Sequence, residues 1–222
     1  MTRFAEIRER AETRKGDAAA LSDFLPRVKS PEELRKIPDH RWLAGMTKRI
    51  FQAGFVWKVI DNKWDGFEAA FAGFDPKRLA YLSDDDLDRL VSDERIIRNG
   101  QKIATVPHNA GLLLELADEY GSAAACFADW PDEDFCGLLD MLKKRGKRLG
   151  GNTGQMFLRF MGRDSFVLSN DVYRALIAAG IVDKMPKSKR DLAAVQVAFN
   201  TWRAESGWSM THISRTLAMS VD

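Results

Sequence analysis

Cysteine is scarce. The chain of 222 residues holds two, Cys126 and Cys136, which form no CxxC pair and sit in no Cys/His cluster. A disulfide framework and the usual zinc-ligand spacings are thereby excluded, and a reduced chain with buried thiols is predicted. Long apolar runs are missing too: none approaches 18 residues, which argues against a membrane span. The opening stretch MTRFAEIRERAETRKG is charged throughout and has no apolar signal-peptide core, so a cytoplasmic location is expected. No alternating apolar/polar run exceeds four residues, and there is no internal repeat or low-complexity linker. Charge of one sign is not in excess either, with 34 Lys and Arg against 32 Asp and Glu. A total so near neutral neither requires nor excludes a polyanionic partner.

The distribution of that charge says more. SDDDLDRLVSDE at 83–94 is acidic, whereas LKKRGKRLGG at 142–151 and MPKSKR at 185–190 are basic, and local patches attract phosphate regardless of the total. Hydrophobic content of 45% with 30% charge is that of a folded globular chain, long enough for one large domain or two small lobes sharing a cleft. Helical signals fill nearly all of it. SPEELRKI opens with Ser30, Pro31 and Glu33, a capping-box signature. Asp39 is the expected cap of HRWLAGMTKRIFQAG, in which Trp42, Leu43, Met46 and Ile50 recur at helical spacing. Ser83 and Asp75-Pro76 mark two further starts, and Pro107 starts or kinks a longer helix. The predicted class is all-α, with helices of roughly 8 to 20 residues and short connections.

Three stretches can carry chemistry. In LLDMLKKRGKRLGGNTGQMFLRFMG, 138–162, an amphipathic helix ends in a basic turn, crosses GKRLGG and re-enters a helix at Asn152 and Thr153. Gly146, Gly150 and Gly151 let backbone approach a ligand, the N–H groups of the next helix start point outward, and Lys147 and Arg148 add charge. This is the layout of a helix–hairpin–helix that grips a nucleic-acid backbone without reading sequence; a glycine-capped corner with a solvated basic turn is the alternative. In GRDSFVLSNDVYRALIAAG, 162–180, Asp171 begins a helix and is either a cap or first-turn acid, or a functional carboxylate. In RIFQAGFVWKV, Arg49 to Val59, a glycine breaks a good helix at a cost of about 1 kcal/mol, amid Phe51, Phe55 and Trp57. Such a cluster is usually core, yet packing leaves Gln52 and Gly54 unexplained.

The segment FQAGFVWKVIDNKWDGFEAAFAGFDPKRLAYLSDDDLDRLVSDERIIRNGQKIATVPHNA closely resembles the core of the bacterial 3-methyladenine DNA glycosylase I family. The carriers are Q-A-G-F-V-W, the F-D-P after spaced aromatics, D-x-x-x-L-V-x-D, and I-I-R-x-x-x-K-I followed by N-A; the hairpin segment and SNDV are similar as well. The likeness covers roughly residues 42–178. It implies an all-α, two-lobed helix–hairpin–helix DNA glycosylase-like fold in a single domain, 1–222. Residues 1–41 are then an N-terminal helical extension, 42–180 the family core and 181–222 C-terminal helices. It further implies a monomeric repair enzyme that flips an alkylated purine out of double-stranded DNA and hydrolyses its N-glycosidic bond. By the same resemblance Trp57 stacks on the flipped base. Gly54 and Phe55 meet DNA, and Phe51 and Gln52 line the base pocket.

The family pattern is broken at three places. Its base-recognising glutamate, three residues before the Gln of Q-A-G, is Arg49 here, which changes the expected base preference. Its zinc ligands have no counterpart: no cysteine precedes Cys126, and the family's C-terminal histidine falls near Val172, so no metal and no cofactor is expected. Its N-terminal tyrosines are absent, since the first is Tyr81, which makes Trp42 and Trp208 candidates to replace lost pocket aromatics. Many members of the wider superfamily carry a catalytic Asp just after the hairpin, and Asp171 is the candidate here. Gly151 and Asn152 occupy the region where bifunctional relatives keep a Schiff-base lysine, so a monofunctional enzyme is expected. The competing expectation is a catalytically weak or inactive module that binds damaged DNA.

Overall fold

Many helix starts along the chain are fixed by short side chains that accept backbone N–H bonds. In the computed structural model, which describes residues 2–186 and 188–221, these helices run α1 Phe4–Lys15, α2 Ala18–Ser22, α3 Pro31–Arg35, α4 Asp39–Gln52, α5 Trp57–Asn62 and α6 Trp64–Ala70. They continue as α7 Pro76–Leu79, α8 Asp84–Ser92, α9 Gly100–Ile103, α10 Thr105–Tyr120 and α11 Ala123–Asp129. The last are α12 Phe135–Arg145, α13 Asn152–Met161, α14 Asn170–Ala178, α15 Lys189–Ser206 and α16 Met210–Met219. Among the described residues there is no strand, and no helix is long and apolar enough to cross a membrane. Lys187, part of the basic 185–190 run, lies outside the described residues.

The capping boxes at Ser30/Glu33 and Ser83/Asp86 both form, and Asp75 caps α7 through the Lys77 N–H. Pro107 sits in the first turn of α10, where a missing N–H costs nothing. Asp39 departs from expectation. Pro38, extended at φ −69° and ψ 150°, takes the flanking position, so Asp39 is already the first helical residue. Its carboxylate instead accepts the Ala124 N–H at the start of α11, at 3.3 Å.

Chain contacts divide the molecule into two compact units. One comprises Ser30–Trp130 and Leu139–Met161, and the other the chain up to Lys29, Pro131–Leu138 and everything from Gly162. The first is built round α4. Trp42 packs on Phe127 at 4.7 Å and on Phe157 at 5.8 Å between ring centroids, and its indole N–H donates to the Ile37 carbonyl. Phe51 meets Phe67 edge-on at 4.7 Å, and Phe71 and Phe74 extend the stack. Full burial of one such ring contributes about 1.5–3 kcal/mol before cavity effects. Gly45 on α4 faces Met161 and Phe157, and a Cβ there would press on the Met161 sulfur, so this glycine lets α13 seat close against α4.

In the second unit α1 packs against α16. Phe4 meets Trp208 at 5.6 Å, the Arg8 guanidinium lies over the same indole, and the Trp202 N–H donates to the Thr2 carbonyl. Buried Asp164 starts α16 by accepting the Met210 and Thr211 N–H groups at 3.0 and 2.8 Å. Trp208, a candidate pocket aromatic, is thus engaged by the terminal helices.

Candidate functional site

The turn after α4 is held from outside. Gly54 has φ +77°, and nothing lies within 4 Å of where its Cβ would be, so its backbone conformation and not crowding calls for glycine. The carbonyls that end α4 need partners, and Lys102 supplies them. Its buried ammonium donates to the Phe51 oxygen at 3.0 Å and the Ala53 oxygen at 2.7 Å, and it sits 4.3 Å from the centre of the exposed Phe55 ring. Burial, then the charge of Arg148, lowers its pKa.

Behind that turn lies an unusual cluster. Arg49 is 9% exposed, with its guanidinium carbon 3.9 Å from the Phe160 ring centre and 5.2 Å from that of Trp57. The two rings meet edge-on at 5.7 Å and are themselves 54% and 41% exposed, so they form an aromatic rim over a buried cation. Burial lowers the Arg49 pKa, and Asp61 opposes that shift. One turn on, Gln52 is 2% exposed and donates from Nε2 to Asp61 at 3.3 Å. Asp61 also binds Lys48 at 2.8 Å. Four buried side-chain atoms have no hydrogen-bond partner among the described residues, and two of them lie in this cluster: Arg49 Nη1, a donor, and Gln52 Oε1, an acceptor; Arg41 Nε and Thr216 Oγ1 lie elsewhere.

Phe51 and Trp42, the other expected base-binding residues, are wholly buried, and protein covers their ring faces as described above. Of the residues expected around the base, the structure therefore gathers Arg49, Gln52 and Trp57, whereas Phe51 and Trp42 pack in the core against other rings. Phe160 joins this group without having been anticipated; its only sequence signal is an apolar residue on the outer face of α13.

The hairpin between α12 and α13 is tightly specified. Gly146 N–H closes α12 on the Leu142 carbonyl at 3.0 Å, and Leu149 is buried beneath the turn. A Cβ on Gly146 would meet Leu149 and the Leu142 oxygen, and one on Gly154 would collide with the Leu149 carbonyl oxygen. Gly150 lies against Lys143, while Gly151 at φ +58° and Arg148 at φ +59° turn the backbone through the left-handed region. Lys147, Arg148, Gly151 and Asn152 are exposed and Thr153 half-buried, so α13 begins at the surface.

Asn109 of α10 fastens this hairpin. Its Oδ1 accepts the Lys147 N–H at 2.8 Å, and its Nδ2 donates to the Lys147 carbonyl at 3.2 Å. His108 Nε2 lies 2.9 Å from the Arg145 carbonyl oxygen, Arg145 pairs with Glu115 and Glu119, and Arg148 donates to Gln101 at 2.6 Å. Gln101, Lys102 and Asn109 belong to the K-I and N-A motif yet carried no role in the sequence reading. Their signal was a lysine and an asparagine set among apolar helix residues.

Asp171 belongs to the other unit. Ser169 caps α14 by accepting the Val172 N–H, so Asp171 is a first-turn acid and not the cap. Its side chain is 52% exposed and 3.9 Å from Arg174. The described residues contain no group of three or more His, Cys, Asp or Glu able to hold a metal. Burial pushes the Cys126 thiol up to about 11 and that of Cys136 to about 12.

Residues 37–136 match the Methyladenine glycosylase family. Over 65 residues the chain is 37% identical to DNA-3-methyladenine glycosylase 1 of Escherichia coli (strain K12), a match covering 29% of this chain and 35% of that protein. It thus spans about a third of the length of this curated relative. A solved structure of 3-methyladenine DNA glycosylase I (TAG) from Staphylococcus aureus superposes with a TM-score of 0.50 at 24% identity, covering 56% of this chain and 77% of that one. The 8-oxoguanine glycosylase/lyase of Methanocaldococcus jannaschii, solved with a 15mer DNA, gives 0.57 at 13% identity over 96% and 95%. The fold is therefore the all-α one of these solved glycosylases, as predicted, and the stretch 37–136 is similar to the methyladenine glycosylase family.

Proposed function

We propose that this protein is a monofunctional DNA-repair N-glycosylase that excises a damaged base, of the alkylated-purine kind but with altered specificity. It works as a cytoplasmic monomer and one glycosylase-like domain on double-stranded DNA. The observation that carries this reading is the family match over residues 37–136, which includes the Q-A-G turn and the brace from Gln101 to Asn109.

The parts divide the work by their chemistry. The hairpin from Gly146 to Thr153, with Lys147 and Arg148, holds the phosphate backbone through N–H groups and charge. Gly54 and Phe55 meet the distorted duplex. The flipped base stacks on Trp57 and is read by Arg49 and Gln52, while Phe51 and Trp42, buried in the core, support α4. The glycosidic bond breaks with its electron pair leaving on the base, and water adds at the sugar C1′ with loss of a proton. Asp171, a solvent-facing carboxylate, is the proposed group that steadies the sugar cation or takes that proton.

The test is a single-turnover excision assay on duplexes bearing alkylated and deaminated bases. Release of a free base, leaving an alkali-labile abasic site without strand nicking, is the expected result. Absence of excision on every lesion, with retained affinity for abasic DNA, would mean a damage-binding module instead.

A further inference from the structure

We infer that the base read by Arg49 and Gln52 is uncharged and presents a ring carbonyl beside a ring N–H, the lactam edge of a deaminated base. This rests on the glycosylase reading and takes the altered specificity further, putting a deaminated base in place of the alkylated purine. Arg49 Nη1 and Gln52 Oε1 are buried and have no hydrogen-bond partner among the described residues. Leaving such groups unmet is costly, more so for a charged one, so a ligand that meets both gains that free energy. The residues are three apart on α4 and so share a helix face.

The amide orientation of Gln52 is fixed by chemistry. Asp61 can only accept, so the group facing it is the Nε2 donor, and the oxygen is left for a ligand. The site therefore offers one donor from a cation and one acceptor from a neutral amide. A carbonyl oxygen answers the guanidinium, and the adjacent N–H answers Gln52. Charge settles which lesions suit it. Lys48 and Arg49 bring two positive charges, and the single carboxylate of Asp61 is already engaged by Lys48 and Gln52. A purine alkylated at N3 or N7 in DNA carries a fixed positive charge and would be repelled here. Deaminated bases carry none, and because they mispair they also leave the duplex more cheaply. Trp57 and Phe160 cover the guanidinium from the solvent side, so entry requires these two exposed rings to part.

The experiment compares single-turnover excision from matched duplexes holding hypoxanthine, uracil, 3-methyladenine or 7-methylguanine. Excision of hypoxanthine or uracil at least ~10-fold faster than either methylated base is expected, about 1.4 kcal/mol in discrimination. The two arms distinguish a purine from a pyrimidine pocket. Arg49→Glu, checked for folding by melting, should reverse the order. Faster excision of a methylated base by the wild type would overturn the inference and leave the glycosylase reading standing. If nothing is excised, that reading fails, and the inference is then decided by nucleoside binding in mildly acidic buffer. Guanosine bound at least ~10-fold tighter than cationic 7-methylguanosine supports it, and equal or reversed affinity overturns it.

Discussion

Asn109 offers the sharpest test of the hairpin. Its side-chain amide makes two hydrogen bonds to the backbone of one residue, Lys147, and it is wholly buried. Truncation to Ala removes both. At about 0.5–1.5 kcal/mol for each bond, the loss should come to about 2 kcal/mol. For a chain of this size that is a fall in Tm of roughly 4–8 °C. Asn109→Asp is the informative companion. It keeps the acceptor for the Lys147 N–H but sets a second oxygen against the Lys147 carbonyl, so it should cost at least as much as Ala. Hydrogen exchange should quicken at Lys147 to Asn152 and leave the amides of α4 largely unchanged. Affinity for an abasic duplex should fall in both variants, because a loosened hairpin must be reordered on binding. The reasoning is refuted if both variants melt like the wild type and bind DNA equally well.

Trp57→Ala should weaken binding to abasic or lesion DNA by ~1–3 kcal/mol, read by fluorescence anisotropy, and hardly change Tm, since the ring is 41% exposed. A collapsed Tm with unchanged affinity per folded molecule would instead make it core. Binding should be sequence-independent with a log–log salt slope near −3 to −4, from about 3 to 5 neutralised phosphates. Lys147→Glu and Arg148→Glu should weaken all duplexes alike; a flat salt dependence contradicts the hairpin's proposed role. Asp171→Asn should slow single-turnover excision at least ~100-fold while changing stability by well under ~1 kcal/mol, because Ser169 is the cap. Unaltered excision would pass the role to another acid.

Much of the fold was legible because it is written in local signals. Ser30, Ser83 and Asp75 start helices where their side chains reach orphan N–H groups, and those rules act over three residues. Asp39 failed as a cap because a distant helix, α11, supplied its N–H partner. The same limit explains what was missed around the site. Lys102 and Asn109 act across 49 to 51 and 38 residues of sequence, and no periodicity encodes such reach. Phe160 reads as an ordinary apolar position until the folded chain sets it against Arg49. Gly54 could be read as a break, but only its dihedral separates a need for positive φ from a need for room.

Gln101, Lys102 and Asn109 together act as a spacer of fixed pitch. Two of them face the hairpin through Arg148 and Lys147, and the third faces the Q-A-G turn through Phe51 and Ala53. A helix advances about 1.5 Å and rotates about 100° per residue. One residue inserted between Ile103 and Asn109 would swing Asn109 about a quarter-turn off the hairpin while Lys102 kept hold of its turn. The contacts on each side would survive singly and be lost as a pair. The length of this stretch is thus a gauge that keeps two surface loops in step, and transplanting either loop into another scaffold would require carrying the gauge with it.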